Sequence, residues 1–152
     1  MYKKAVMVAT AGVVLSALVA CNSEESPKVV TSASTACSLD VINGEKGALV
    51  RVKRGTATFL GWAADSGTNT APAELQVVLK NNEGVSHAFG ESQRFDRPDV
   101  VKAYRQDGFL KSGFAIKADA SALAPGAYGV ALKMIEGNRV VVCSIKKNVV
   151  IE

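Results

Sequence analysis

TATFLGWAA, residues 56–64, decides the fold. Read with a period of two, it places Thr56, Thr58, Leu60 and Trp62 on one face and Ala57, Phe59 and Gly61 on the other. Successive side chains of a β-strand point to opposite faces, so the pattern predicts a strand with one side turned to a core. Three further stretches repeat it. AELQVVLKN (73–81) sets Leu75, Val77 and Leu79 against Glu74, Gln76, Val78 and Lys80. GFAIKAD (113–119) sets Phe114, Ile116 and Ala118 against Ala115, Lys117 and Asp119. AYGVALKM (127–134) sets Tyr128, Val130, Leu132 and Met134 against Gly129, Ala131 and Lys133. RVVVCSIKKNVVIE (139–152) closes the chain and is rich in Val and Ile, as strands are.

Turn chemistry separates these runs. NGEKG (43–47), DSGTNTAP (65–72), NNEG (81–84), APG (124–126) and EGN (136–138) collect Gly, Asn, Asp and Pro. The last is expected to join the final two strands as a hairpin. A sheet alone would leave an apolar face in water, so two sheets must close on each other. The expected fold is an all-β, antiparallel β-sandwich in one domain over residues 37–152.

One stretch departs from the pattern. RFDRPDVVKAYRQDGF (94–109) packs three acids and four bases into 16 residues. It contains the best helical candidate. Asp96 suits an N-cap, Asp99 stands three residues on as in a capping box, and Pro98 falls in the first turn. Val100, Val101 and Tyr104 share a helical face, and Gly108 suits the end of the element. The expectation is therefore one short helical connection docked on the sandwich. A second reading makes Trp62, Arg97, Asp99 and Tyr104 a ligand site, since a guanidinium beside aromatic rings suits a sugar or a carboxylate. Of the phenylalanines, Phe59 and Phe114 are expected in the core. Phe89, Phe95 and Phe109 flank the charged stretch and are candidates for an exposed, partner-facing patch.

GWAAD (61–65), RPDVVKAY (97–104), SGF (112–114) and DASALAPGAYGV (119–130) occur in this order. Together they resemble an Ig-like β-sandwich module of proteobacterial envelope proteins, with a GWA-x-D strand, an R-x-DV segment, a GF strand and a PG-x-Y hairpin. The resemblance covers residues 37–152. It implies an Ig-like fold and supplies no activity.

The N-terminus carries an address. MYKK is a basic start, AVMVATAGVVLSALVA (5–20) is uncharged, and Cys21 follows. This order reads as a secretory signal, residues 1–20. The apolar run is shorter than the ~20 residues of a spanning helix, the other meaning such a run would have. LVAC (18–21) resembles the lipobox of bacterial lipoproteins. That resemblance implies diacylglycerol on the Cys21 thiol, cleavage just before it and acylation, palmitate for instance, of the new amino group. Asn22 in place of Asp favours the outer membrane, facing the periplasm. Residues 21–36, rich in Ser, Thr and Glu, read as a flexible tether, with an edge strand at Lys28 to Thr31 as the alternative.

With Cys21 lipidated, Cys37 and Cys143 remain as an even pair in an oxidising compartment, and a disulfide is expected between them. Buried thiols or a metal pair are the alternatives. His87 is the sole histidine and no C-x-x-C occurs, so no metal and no cofactor is expected.

The chain has 18 basic and 14 acidic residues, and losing Lys3 and Lys4 leaves 16 against 14. That near balance gives no basic stripe for nucleic acid. His87 lies in a polar segment, the acids stand at turns and caps, and the glycines are scattered among hairpins rather than gathered in a phosphate loop. No enzyme is expected. The expected function is a lipid-anchored, non-catalytic binding or accessory module whose partner is an envelope protein or a glycan. The alternatives are a periplasmic inhibitor or protective protein, against lysozyme for instance, and a purely structural envelope component.

Overall fold

The computed structural model of the protein describes residues 27–90 and 93–152. Cys21, the signal segment and the first part of the tether lie outside them. Among the described residues, ten strands form two sheets. The first sheet holds β1 (Val30–Ala33), β3 (Leu49–Val52), β5 (Glu74–Asn81), β6 (Ser86–Gly90), β9 (Gly126–Glu136) and β10 (Arg139–Ile151). The second holds β2 (Cys37–Ile42), β4 (Thr56–Ala63), β7 (Gln93–Phe95) and β8 (Gly113–Asp119), in the order β2-β4-β8-β7. A helix α1 (Pro98–Tyr104) and a 3-10 segment (Asp107–Ser112) connect β7 to β8. The fold is an all-β sandwich with one short helical connection.

The period-two faces meet in the core. Ala57, Phe59 and Ala63 of β4 bury against Leu75, Val77 and Leu79 of β5 and Val130, Leu132 and Met134 of β9 within one cluster. Trp62 belongs to the other face of β4. It joins Ala36, Ala64, Val100 and Phe109 in a second, smaller cluster on the outside of the sheet, beneath the helical connection. The end of β4 is thus buried on both sides, which explains why its outward face carries a Trp there and not only polar residues. The EGN turn closes the expected hairpin, with Glu136 paired to Arg139.

The sheet is mixed at one edge, where an antiparallel sandwich was expected. β10 pairs with β9 along its length, while β1 and β3 both lie parallel on its other side, β1 against Arg139–Val142 and β3 against Asn148–Ile151. Neither is joined to β10 by a hairpin, so the local rule that makes neighbours antiparallel does not act on them.

The folded part also begins earlier than residue 37. Val30–Ala33 is a strand, and the chain then crosses from the first sheet to the second. The Ser34 N–H donates to the Val142 carbonyl at 3.0 Å, and the Ala64 N–H donates to the Ala36 carbonyl at 2.9 Å. The tether reading of residues 21–36 therefore fails from residue 30 on, and the edge strand read at Lys28 to Thr31 lies instead at Val30–Ala33.

A disulfide joins Cys37 to Cys143 across 106 residues of sequence, with Cα atoms 6.5 Å apart. It links β2 of one sheet to β10 of the other. Close by, buried Asp65 at the end of β4 is ion-paired with Arg139 at the start of β10. A covalent and an ionic clasp thus hold the two layers together.

Candidate functional site

A bulge in β2 builds the charged site. Leu39 and Ile42 are both buried, three residues apart, which strict alternation forbids. The register slips between Leu39, paired to Gly61, and Val41, paired to Leu60, leaving Asp40 as the extra residue. Bulges re-aim side chains, and here the freed carboxylate reaches Arg97. The Arg97 Nη1 donates to Asp40 Oδ2 at 2.9 Å. Its Nε and Nη2 donate to the two oxygens of Asp99 at 2.9 and 2.8 Å, a bidentate pair within the first turn of α1.

Asp99 is held down to about 2 from 3.8, because Arg97 hydrogen-bonds its charged form. Arg97 is raised in turn, first by its bond to Asp99 and then by Asp40, against the opposing effect of burial. Its side chain is only 16% exposed. With Nε, Nη1 and Nη2 all turned onto carboxylates, the guanidinium has little left to offer a ligand anion.

The aromatic part of the site is equally engaged. Trp62 is 8% exposed and meets the edge of Tyr104 with ring centroids 5.2 Å apart. Tyr104 also meets Phe109 at 5.6 Å and is itself 45% exposed. The four residues form two pairs, Arg97 with Asp99 and Trp62 with Tyr104, and each pair ties α1 to the second sheet, the first through Asp40 of β2 and the second through Trp62 of β4. No open face of Trp62 is available for a sugar to stack on. Trp62 is thereby removed as a stacking platform, and Tyr104 is the one ring of the pair open to solvent.

Several local expectations are corrected here. Asp96 does not cap α1. The N-cap is Arg97, whose side chain makes no cap bond, and Asp96 pairs with Lys111 at 2.6 Å instead. Asp99 accepts from the Arg97 side chain and makes no capping box with Asp96. The helix ends at Tyr104 with Arg105 in the left-handed conformation, so Gly108 is not its stop. Gly108 lies inside the 3-10 segment, where any side chain would strike the Asn69 carbonyl. Phe109 is fully buried under the connection, and Phe89 and Phe95 are half-buried, so these three form no exposed aromatic patch among the described residues. His87 is half-buried on β6, edge-on to Tyr128.

Sequence reading passed over a second feature. The outward residues of β5, β9 and β10 line up in cross-strand rows. Val142, Lys133 and Gln76 form one row, and Asn148, Gly129 and Lys80 form another. Between them runs Ser144, Ala131, Val78 and Ala88. Small residues between long ones make a flat sheet concave. The result is a groove of about 630 Å³, floored by Val78, Gly129, Ala131 and Val142. Lys80, Lys133, Lys146 and Lys147 rim it, and its described lining contains no carboxylate. A slip in register between Ile145 and Asn148 thrusts Lys146 and Lys147 out of the β10 ladder at one end. The Lys147 ammonium donates to the Lys46 and Gly47 carbonyls at 2.7 and 3.0 Å, which fixes it against the β2–β3 turn. The signal in the sequence was Gly129 and Ala131 at outward positions of a strand, where water-facing β positions favour larger residues.

Comparison with protein-family models, with characterised proteins and with solved structures finds no match to this chain.

Proposed function

We propose that the chain is a lipid-anchored, non-catalytic binding module of the bacterial envelope, moored through Cys21 and facing the periplasm from the outer membrane. The observation that carries the binding role is the contrast between two surfaces. The charged residues 94–109 are engaged with one another and with the sandwich, while the groove across β5, β9 and β10 presents an apolar floor and a rim of lysines with no carboxylate in its described lining. A surface of that kind is suited to holding a ligand.

Two further features support the address and the family. The Cys37–Cys143 bridge belongs in an oxidising compartment outside the cytoplasm. The Tyr128 hydroxyl donates back to the Ala124 carbonyl at 2.9 Å, the bond of a tyrosine corner, which supports the Ig-like reading of the PG-x-Y hairpin. Several acyl chains on Cys21, at ~0.8 kcal/mol per buried methylene, would hold such a module firmly on a bilayer.

Mass spectrometry of the exported protein tests the mooring. The expected result is a mature chain beginning at Cys21 with diacylglycerol on sulfur and an acyl group on nitrogen. Cys21→Ser is expected to move the protein from the membrane fraction to the soluble periplasm. An exported chain with an unmodified Cys21 overturns the anchor.

A further inference from the structure

We infer that the groove across β5, β9 and β10 is a binding site for a single-chain anionic amphiphile, a hydrocarbon body carrying a carboxylate or similar head. The inference rests on the reading of the protein as a non-catalytic binding module and names the ligand class for it.

Three observations carry it. The first is Gly129. A Cβ built there would meet nothing nearer than 3.9 Å, and its backbone is not in the left-handed region. Neither conformation nor packing therefore requires glycine at this strand position, where glycine weakens a strand and often marks the close approach of a ligand. What the missing side chain does is deepen the floor beside Ala131.

The second is charge. The rim carries four lysines and, among the described residues, no lining carboxylate. Lys80 and Lys146 stand at the end where Asn82 and Asn148 add amide groups, with Lys147 held beside them on the Lys46 and Gly47 carbonyls, whereas Val142 and Val78 stand on the floor beyond. An anionic head at the lysine and asparagine end would leave an apolar body over the floor. Those are the two parts of an amphiphile.

The third distinguishes an amphiphile from an acidic peptide. The floor is the face of a sheet whose backbone groups already bond to neighbouring strands, β9 lying between β5 and β10. An extended peptide laid on that face would bury its own N–H and C=O groups without partners, which is costly. A hydrocarbon chain has no such groups. The groove volume, about 630 Å³, is also in the range of small-molecule sites.

The test uses the full chain carrying Cys21→Ser, which has no acyl groups of its own, titrated with dansyl-labelled undecanoate in the absence of detergent. Expected is saturable one-to-one binding, competed by laurate and about tenfold less well by the uncharged dodecanol. Gly129→Leu combined with Ala131→Leu fills the floor and is expected to weaken binding about tenfold, with the β far-ultraviolet spectrum retained. Lys80→Glu combined with Lys146→Glu, both on the surface, is expected to weaken it about fivefold. Absence of saturable binding overturns the site, as does equal competition by dodecanol or an unchanged affinity in both double variants. Displacement of the probe by a poly-glutamate peptide as readily as by laurate overturns the amphiphile in favour of an acidic protein partner. Recovery of a chemically altered probe overturns the non-catalytic reading instead and leaves the groove as the place where the probe sits.

Discussion

Arg97 shows how one residue can read as a site and act as a fastener. Its guanidinium faces two carboxylates, Asp40 from the bulge and Asp99 from the helix, so the local balance is one positive charge against two negative. Bidentate geometry favours the ionised form of Asp99, and this has a sign that can be worked through. The folded value, about 2, lies below the ordinary 3.8, so the interaction stabilises the fold above roughly pH 4 and is lost as pH falls toward 2. Asp99 is exposed, and solvent screening keeps the effect modest. Asp99→Asn is therefore expected to lower the denaturation midpoint at about pH 6 and to match the parent near pH 2. Carboxyl titration by NMR checks the cause: in Arg97→Gln the Asp99 value should return toward 3.8. Asp119 is held low by a different device, hydrogen bonds from the Ser121 side chain and backbone. It should not respond to Arg97→Gln.

At the scale of the element, the helical connection is a lid whose seal is Phe109. That ring is 1% exposed and packs with Val100, Ala64 and Trp62 outside the main core. Phe109→Ala is expected to destabilise the protein by about 3–5 kcal/mol, toward the lower end if α1 settles into the gap. Trp62 reports the event directly: as the lid loosens, its emission should shift to the red under native conditions. Chemical denaturation and tryptophan fluorescence of the same variant check both halves. What could be read in the sequence follows the same division. The alternating faces of β4, β5, β8 and β9 were legible because a period of two is a local property. β1 was legible only as an alternative, an edge strand at Lys28 to Thr31, since VTSA is exposed throughout and has no apolar face to betray it. Its partner stands more than 100 residues away. The β2 bulge left a trace, two apolar residues at an odd spacing, but only its pairing with β4 shows which residue is extra. The burial of Phe109 was illegible for a related reason. A polar neighbourhood in sequence became an enclosed one only when the 3-10 segment folded it beneath α1. Of the candidate residues, Arg97 bonds Asp99 and Trp62 packs on Tyr104, and each of these contacts has a structural use.

For the whole molecule the question is whether the core or the covalent clasp defines the fold. The main core is continuous between the sheets and draws on β2, β3, β4, β5, β8, β9 and β10. Burial on that scale drives collapse without help from sulfur chemistry. The Cys37–Cys143 bond acts chiefly elsewhere. It closes a loop of 106 residues, nearly the whole described chain, and so restricts the unfolded ensemble far more than it alters a native state already paired at β2 and β10. In the chain-entropy model such a loop is worth about 4–5 kcal/mol. The Cys37→Ala, Cys143→Ala variant is therefore expected to keep its β far-ultraviolet spectrum and to lose about that much stability in urea. Its m-value should rise, because an unbridged unfolded chain exposes more surface. The slope separates the two accounts. A loss of stability with the slope unchanged would place the bond's effect in the native state. Arg139 then becomes the informative second site. Arg139→Met leaves buried Asp65 without its partner, which for a pair of this kind costs about 3–5 kcal/mol when both members are fully enclosed, and less here because Arg139 is partly exposed. The unpaired carboxylate is a native-state defect, so this substitution should lower the midpoint and leave the slope where it was.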